Sequence, residues 1–384
     1  MNESRRRRAR LALRAGVAVS AIVLAARARD PITTITTAPA ASHAPHPPPL
    51  RRALAVGAAL VPGVLVHGSG HYVLGQPQPA SKLLWWEAAG VGGILAGGLP
   101  LYFSGASRYV VAPAALLAGA GFGLFALTFL TDVYGTAAPD GAAGVALGQL
   151  PRIETEIGYR YVYDPQFRYR NFAVQGLDLR WRNLRLAPSA WFALEDGNLR
   201  ARLLGAVRFV GPVAAPAPAP VDGTALDLQL AVTHHRFDRD GFSSLTAETA
   251  LHGRLDFARV DPAFAGSFGE FGAGLAVQAL DYEAPALSFA EDVETLLLMR
   301  FGWGVYLGSE PAERGGEWLV YYDHRHDGYA AGLKITGLGS GVLGHFGTSL
   351  RYFFDENWGI GAEAEVGSAY VTGVSGLYRY GGRR

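Results

Sequence analysis

The pattern of hydrophobic and polar residues changes near residue 150. Before it, three long apolar stretches occupy residues 53–66, 83–103 and 109–130. From residue 151 onward, apolar and polar side chains alternate with a period of two. Long apolar runs are typical of helices in or against a membrane, and strict alternation is typical of strands with two different faces. The pattern therefore predicts a helical part followed by a β-sheet part.

The helical part is apolar enough to contact lipid. The stretch 109–130 has no charged residue in 22 positions, which satisfies the roughly 20 residues that a membrane-spanning helix needs. The stretch 83–103 has Glu87 as its one charge, and Pro62 breaks the first stretch. The pairs Gly93/Gly97 and Gly119/Gly123 have the four-residue spacing that favours close helix packing, although the high glycine content of the chain also accounts for them.

The alternating stretches after residue 151 are mostly 10–15 residues long. Soluble β-sandwich strands average about 5 or 6 residues, whereas strands of a transmembrane barrel need about 9–11. Thirteen such stretches are visible, but single-chain bacterial barrels have even strand numbers. The stretch 190–195 is too short to span a membrane, and 358–380 reads as one long strand or as a hairpin with a three-residue loop. We predict twelve strands, with ten and fourteen also allowed.

The fold class predicted is a membrane α+β protein, with an N-terminal hydrophobic helical segment followed by an antiparallel transmembrane β-barrel of about 12 strands. Residues 1–28 have the basic start, short apolar run and small residues of a signal peptide; an uncleaved signal anchor is the alternative. A Pro-rich linker follows at 29–52. The helical segment is placed at 53–135, a second linker at 136–150, and the barrel at 151–384.

Composition supports this division. Charged residues make up 17% of the chain, and they are unevenly placed, with 7 in residues 31–150 and 50 in residues 151–384. The absence of cysteine excludes disulfides, thiol catalysis and cysteinyl zinc sites. The dense basic cluster lies at the N-terminus and not in a folded domain, so no nucleic-acid partner is predicted. A barrel lumen of mixed charge predicts little ion selectivity. No cofactor is predicted.

One candidate metal site lies in the helical part. His67 and His71 are four residues apart, and Glu87 offers a third ligand. The run resembles the His-Glu-x-x-His helix of membrane metalloproteases, but Gly68 stands where that motif has its catalytic glutamate. The glycines favour an alternative interpretation, a turn between two helices with polar histidines at a membrane boundary.

A second candidate site is the polar cluster of Asp323, His324, His326 and Asp327, at a predicted tight hairpin. Asp and His at such positions form a general base or a metal site, and a solvated hairpin tip is the alternative. The run is similar to a motif of outer-membrane lipid A deacylases. However, His326 and Asp327 occupy the places where that motif has serine and asparagine, so the nucleophile is missing.

The ending Gly376-Leu-Tyr378-Arg-Tyr380 resembles the C-terminal targeting strand of Gram-negative outer-membrane barrel proteins, except that Gly381-Gly-Arg-Arg384 follows it. The resemblance implies an outer-membrane location, membrane lipid as a partner and delivery by the outer-membrane assembly machinery. It implies no activity, and the oligomeric state stays open.

Three functional hypotheses follow. The first is a non-enzymatic outer-membrane barrel of structural, channel or envelope-assembly type. The second is an outer-membrane hydrolase that acts on lipid A or an envelope glycan through Asp323, His324 and His326. The third is an inner-membrane helical protein with a periplasmic β-domain.

Overall fold

The structure is a computed structural model that describes most of the helical and β parts of the chain. The described residues are 48–104, 109–137, 150–163, 170–214, 222–239, 241–282, 293–308, 315–324, 333–334, 342–367 and 369–381. The predicted signal peptide 1–28 lies outside them.

Among the described residues, four α-helices precede the barrel: α1 (Pro49–Leu60), α2 (Ser69–Leu74), α3 (Pro77–Phe103) and α4 (Val111–Ala137). Proline stands at the start of α1 and of α3, where its missing N–H has no helical partner to lose and its fixed φ suits the first turn. For this reason α1 begins at Pro49, within the stretch interpreted from sequence as a linker. One described helical segment, Pro113–Ala137, is long and apolar enough to cross a membrane.

α3 and α4 form an antiparallel hairpin with close backbone contact. Gly90 and Gly93 of α3 face Gly121 of α4, and a Cβ on Gly121 would lie 2.6 Å from the Gly90 carbonyl oxygen. A Cβ on Gly97 would likewise lie 2.3 Å from the Ala114 carbonyl oxygen, so the predicted packing role of Gly93 and Gly97 is confirmed. That of Gly119 and Gly123 is wrong, because a Cβ added at either would meet nothing within 4 Å.

The β part is a closed antiparallel barrel of twelve strands, which confirms the predicted number. In chain order the strands are β1 (Ile153–Tyr163), β2 (Asn171–Trp181), β3 (Leu184–Ala193), β4 (Leu199–Val210), β5 (Ala225–Phe237), β6 (Phe242–Asp256), β7 (Ser267–Tyr282), β8 (Val293–Leu307), β9 (Gly315–Asp323), β10 (His345–Phe353), β11 (Trp358–Val366) and β12 (Tyr370–Tyr380).

Each strand pairs with its sequence neighbours, and β1 pairs with β12 to close the barrel, with Ile153 opposite Tyr380. Closure pairs every strand of the barrel with two neighbours and leaves no edge strand, as a hydrocarbon environment requires. The chain enters β1 and leaves β12 at the same end of the barrel, which we call the termini end. The other end is called the far end.

The two faces of the strands separate as the alternation predicts. In β1, Ile157 and Tyr159 point outward and are exposed, whereas Glu154, Arg160 and Val162 point into the lumen. The same division holds around the barrel, so that an apolar outer surface encloses a lumen with most of the charges. The outward set includes these exposed side chains: Leu203, Phe209, Leu251, Phe271, Leu275, Leu297, Phe301, Phe346, Ile360 and Val374.

Several local predictions are resolved. Residues 358–380 form a hairpin with the three-residue connection 367–369. The stretch 190–195 is not a separate element, because residues 190–193 complete β3, which starts at Leu184 after a two-residue turn. The predicted tight hairpin after Asp323 is wrong: residues 324–344 connect β9 to β10, and within them Leu333–Lys334 pairs with Val342–Leu343.

The helices meet the barrel near its termini end. Leu83, Trp86 and Leu127 pack on Phe264, in the connection between β6 and β7, and on the outward-facing Trp303 of β8. The Lys82 Nζ is 2.9 Å from the Asp261 Oδ1 in the same connection. Burial raises the pKa of Asp261, but the hydrogen bonds from the Ala263 N–H and from Lys82 outweigh it and leave the pKa below its ordinary value.

Candidate functional site in the barrel lumen

A cavity of about 250 Å³ opens into the lumen at the termini end. Its charged lining comes from residues close to the ends of many strands. Arginine supplies seven of these side chains and carboxylates supply four: Arg180, Arg182, Arg185, Arg208, Arg254, Arg351 and Arg379 against Glu154, Asp227, Glu270 and Glu317. Asp178, beside the cavity, also binds Arg180 and Arg185. Arginines still outnumber carboxylates by seven to five.

Ion pairs that cross between strands hold this mouth together. The Arg208 guanidinium forms two hydrogen bonds with the Asp227 carboxylate, of 2.7 and 2.8 Å. Arg254 of β6 binds Glu270 on the neighbouring β7 at 2.5 Å and Glu317 on β9 at 2.7 Å, so it links strands that are not neighbours. Such paired geometry is needed to keep charges in a partly desolvated space.

The middle of the lumen is filled by similar links. Arg160 of β1 donates to Glu363 of β11 at 2.9 Å, and Arg202 of β4 donates to Glu248 of β6 at 2.9 Å. A second cavity, of about 90 Å³, lies beside Arg160 and Glu363. Twelve strands spaced about 4.8 Å apart and tilted about 40° give a barrel of roughly 12 Å backbone radius. A lumen of this width is narrowed greatly when long charged side chains meet across it.

The lumen ends in an apolar cluster at the far end. Val162 and Val371 lie opposite each other on β1 and β12, and Phe172 and Phe237 occupy the far ends of β2 and β5. All four side chains point inward and are buried. Trp191 packs against the cluster, with the Arg160 Cζ 4.2 Å from its ring centroid. The lumen therefore runs from an arginine-rich mouth, through a charged middle, to an apolar far end.

The far-end candidates Asp323 and His324 direct their contacts to opposite faces of the sheet. Asp323 faces the lumen, 3.6 Å from the Arg300 Nη1. The His324 Nδ1 is 2.8 Å from the hydroxyl of Tyr322, which points outward. His326 and Asp327 lie outside the described residues. Nothing in this arrangement favours the hydrolase hypothesis.

The helical candidates His67, His71 and Glu87 come together with Asp132 in a buried cluster. Glu87 accepts a hydrogen bond from the His67 N–H at 2.9 Å, and so binds backbone. The His67 Nδ1 is 2.6 Å from the Thr128 Oγ1, and burial lowers the pKa of His67 although Glu87 and Asp132 oppose it. Within the described part of the chain, no group of three or more potential ligands is placed to hold a metal ion.

Asp132 of α4 organises the turn that contains the histidines. Its fully buried carboxylate accepts hydrogen bonds from the backbone N–H groups of Gly68, Gly70 and His71, at 2.9, 3.1 and 3.1 Å, and lies 2.6 Å from the His71 Nδ1. Gly68 has a φ of 88° and leaves no room for a Cβ beside the backbone of Ala80. This explains why glycine occupies the position at which a metalloprotease has glutamate.

Known proteins resemble this chain in structure and not in sequence. No protein-family model and no curated protein matches it. The KdgM porin in complex with disordered oligogalacturonate is 10% identical, with 59% of this chain and 99% of that chain covered and a TM-score of 0.34. The translocator domain of the autotransporter NalP from Neisseria meningitidis is 13% identical, with coverage of 59% and 88% and a TM-score of 0.35. The NanC porin is 9% identical, with 59% of this chain and 98% of that chain covered and a TM-score of 0.30.

This chain has the architecture of a transmembrane β-barrel. Its closed sheet, apolar outer surface and polar lumen have the design that allows strands to cross lipid. A barrel fold by itself supports many functions, so the activity has to be argued from the lumen. The mouth of the lumen was not predicted from the sequence, because its lining residues come from distant parts of the chain; Arg254 and Glu317, for example, are 63 residues apart.

Proposed function

We propose that the barrel is a narrow channel for small hydrophilic solutes that carry negative charge. The excess of arginine around the 250 Å³ cavity carries this proposal. A concave, partly desolvated opening with an excess of one sign of charge raises the local concentration of ions of the opposite sign. The cavity is slightly smaller than the roughly 300–1,000 Å³ of ordinary small-molecule sites, which favours small solutes over polymers.

The apolar cluster at the far end fits the role of a constriction in this channel. Hydrophobic rings in channels restrict the passage of ions because water leaves them readily. Phe237 stacks on Phe242 with ring centroids 4.3 Å apart and an interplanar angle of 12°, so the aromatic side chains support one another. Permeation then requires these side chains to move, and we expect low conductance with brief openings.

Planar-bilayer recording of the refolded full-length chain tests the proposal. In a KCl gradient, we expect small conductance steps and a reversal potential that indicates preference for chloride. Arg185→Gln removes a cavity-lining charge and should lower the chloride preference. Arg236→Gln is the matched control, because Arg236 points outward at the far end and pairs with Asp238. Equal selectivity in both variants would contradict the role of the mouth.

A second variant tests the constriction. Phe237→Ala removes one ring of the apolar cluster and should increase the conductance several-fold, provided that a gel shift on boiling confirms a folded barrel. If neither the unmodified chain nor Phe237→Ala conducts while both are folded, the channel proposal fails and a structural role in the envelope takes its place.

We also infer that the outer-membrane assembly machinery inserts this barrel. The last strand, β12, supports this inference, since Tyr378 and Tyr380 alternate with lumen-facing residues at the termini end. Replacing Tyr380 by alanine should lower the amount of folded barrel in the outer-membrane fraction of expressing cells. Replacing the outward-facing Tyr370, at the other end of the same strand, provides the control.

A further inference from the structure

The α3–α4 hairpin exposes apolar side chains over most of its length. Residues 88–131 contain a single charged residue, Arg108. Large apolar side chains along this hairpin are exposed by about half or more, namely Leu95, Leu99, Tyr102, Phe103, Tyr109, Leu116 and Phe122. A helix pair that is apolar on its outer sides needs an apolar environment to cover it.

The base of the hairpin is joined to the outside of the barrel. The outward-facing Trp303, against which the base packs, belongs to the same strand face as the exposed Met299 and Phe301. The Tyr134 hydroxyl donates a hydrogen bond to the carbonyl oxygen of Tyr306, also on β8. The base of the hairpin therefore lies against the outer surface of β8, next to lipid-facing side chains.

The charged side chains within the two helices lie near this base, and the length of the helices beyond them matches a membrane. Lys82, Glu87 and Asp132 are all in the basal part of the two helices. At 1.5 Å per residue, the uncharged segments 88–103 and 111–131 are roughly 24 and 31 Å long. The apolar band of an outer-membrane barrel is about 25 Å tall, and a bilayer core is about 30 Å thick.

From these observations we infer that the α3–α4 hairpin is immersed in the same lipid bilayer as the barrel, beside its outer wall. Its partner is the acyl-chain region of the membrane. Helices are suited to this environment because their backbone hydrogen bonds are satisfied within the segment. The protein then anchors itself by two different structures, one of strands and one of helices, joined at Trp303. This inference does not depend on the channel proposal.

The absence of cysteine makes a direct test straightforward, because a single introduced cysteine is the only labelling site. Leu95→Cys and Leu116→Cys place a nitroxide on α3 and α4, at positions that are 51% and 73% exposed. Leu297→Cys on β8 gives a lipid-facing reference, and Glu356→Cys in the β10–β11 turn gives a water-facing one. The full-length variants are refolded in phosphatidylcholine–phosphatidylglycerol vesicles, and a gel shift on boiling confirms that each barrel is folded.

Collision of the nitroxide with oxygen and with a water-soluble nickel chelate is then measured. We expect both hairpin positions to resemble the Leu297 reference, with high oxygen accessibility and a nickel accessibility several-fold lower than at the Glu356 reference. Nickel accessibility equal to that reference would overturn the inference. So would low accessibility to both reagents, which indicates protein contact. Dipolar broadening that disappears on dilution with unlabelled chain would assign the surface to a second copy instead.

Discussion

The close contact between α3 and α4 gives a sharp prediction about Gly121. An ideal Cβ at this position would lie 2.5 Å from the Ile94 backbone nitrogen and 2.6 Å from the Gly90 carbonyl oxygen. Ordinary van der Waals contact begins near 3.4 Å. Because the neighbouring atoms are backbone, Gly121→Ala requires the two helices to separate by roughly 1 Å, and overpacking of this kind costs about 1–3 kcal/mol.

Gly119→Ala is the matched control. Gly119 lies on the same helix, one half-turn away, and a Cβ there meets nothing within 4 Å. Both substitutions gain the intrinsic helix preference of alanine over glycine, about 0.8–1.0 kcal/mol. This gain cancels when the two variants are compared, so the expected difference of about 1–3 kcal/mol in the free energy of unfolding comes from the helix contact alone.

The assay is unfolding of the helical part in mixed micelles with increasing sodium dodecyl sulfate, followed by circular dichroism at 222 nm. Gel mobility measures the folding of the barrel separately. Gly119→Ala should unfold at the same or a higher detergent fraction than the unmodified chain, and Gly121→Ala at a lower one. If Gly121→Ala is as stable as Gly119→Ala, the close approach of the helices is refuted.

Three further substitutions test other parts of the molecule. Both carboxylate oxygens of Asp132 accept backbone N–H groups, so Asp132→Asn, which keeps one of them, should destabilise the helical part by roughly 1–3 kcal/mol for each N–H left unpaired. The amide oxygen of Glu87→Gln can still accept the His67 N–H, so this variant should cost less in the same unfolding assay. Asp261→Asn should broaden the distance distribution between spin labels on the hairpin and on β8. In the unmodified chain, folding lowers the pKa of Asp261. The stabilisation that Asp261 gives is therefore fully present above its unfolded pKa of about 3.9, and it is lost as the pH falls through the lower pKa of the folded state. The distance distribution of the unmodified chain should thus begin to broaden only below about pH 4. Arg254→Gln leaves two lumen carboxylates without this partner and should cost about 3–5 kcal/mol, seen as a lower temperature for the gel shift, whereas the more exposed Arg185→Gln should cost less than about 1 kcal/mol.

The barrel was predictable from sequence because the strand period is two and each strand is long. In β1, one face carries Ile153, Ile157 and Tyr159, and the opposite face carries Glu154 and Arg160. This difference identifies the segment as a strand and shows which of its faces points to the lumen. This information is local, and it repeats in every strand. The number of strands followed from it together with the even-number rule.

The turn before β3 was hidden because Asn183 is its one residue that is typical of turns. Arg182 follows β2 with a φ of 53°, a left-handed conformation that arginine rarely adopts. No glycine or proline marks the change of direction between β2 and β3. The sequence consequently reads as a longer stretch followed by a short one, and residues 190–193 were left without a strand.

The candidate site was less predictable than the fold. The alternating pattern predicts which charged side chains point into the lumen, but it does not predict which of them form pairs across it. That depends on the stagger of the closed sheet, which places Arg254 beside Glu317. Of the helical candidates, His67 lies in the turn before α2, and His71 lies within α2 itself. Their partner Asp132 gave no sequence signal, because it lies on a helix more than 60 positions away.

The pairing of charges across the lumen constrains how the barrel forms. Arg254 meets Glu317, and Arg351 meets Glu154, only after strands that are far apart in the chain have curved toward each other. An open sheet would present these unpaired charges to the bilayer, where each is costly. We therefore expect the lumen face to remain hydrated throughout insertion, so that water accompanies the strands into the membrane and is largely expelled when β1 joins β12.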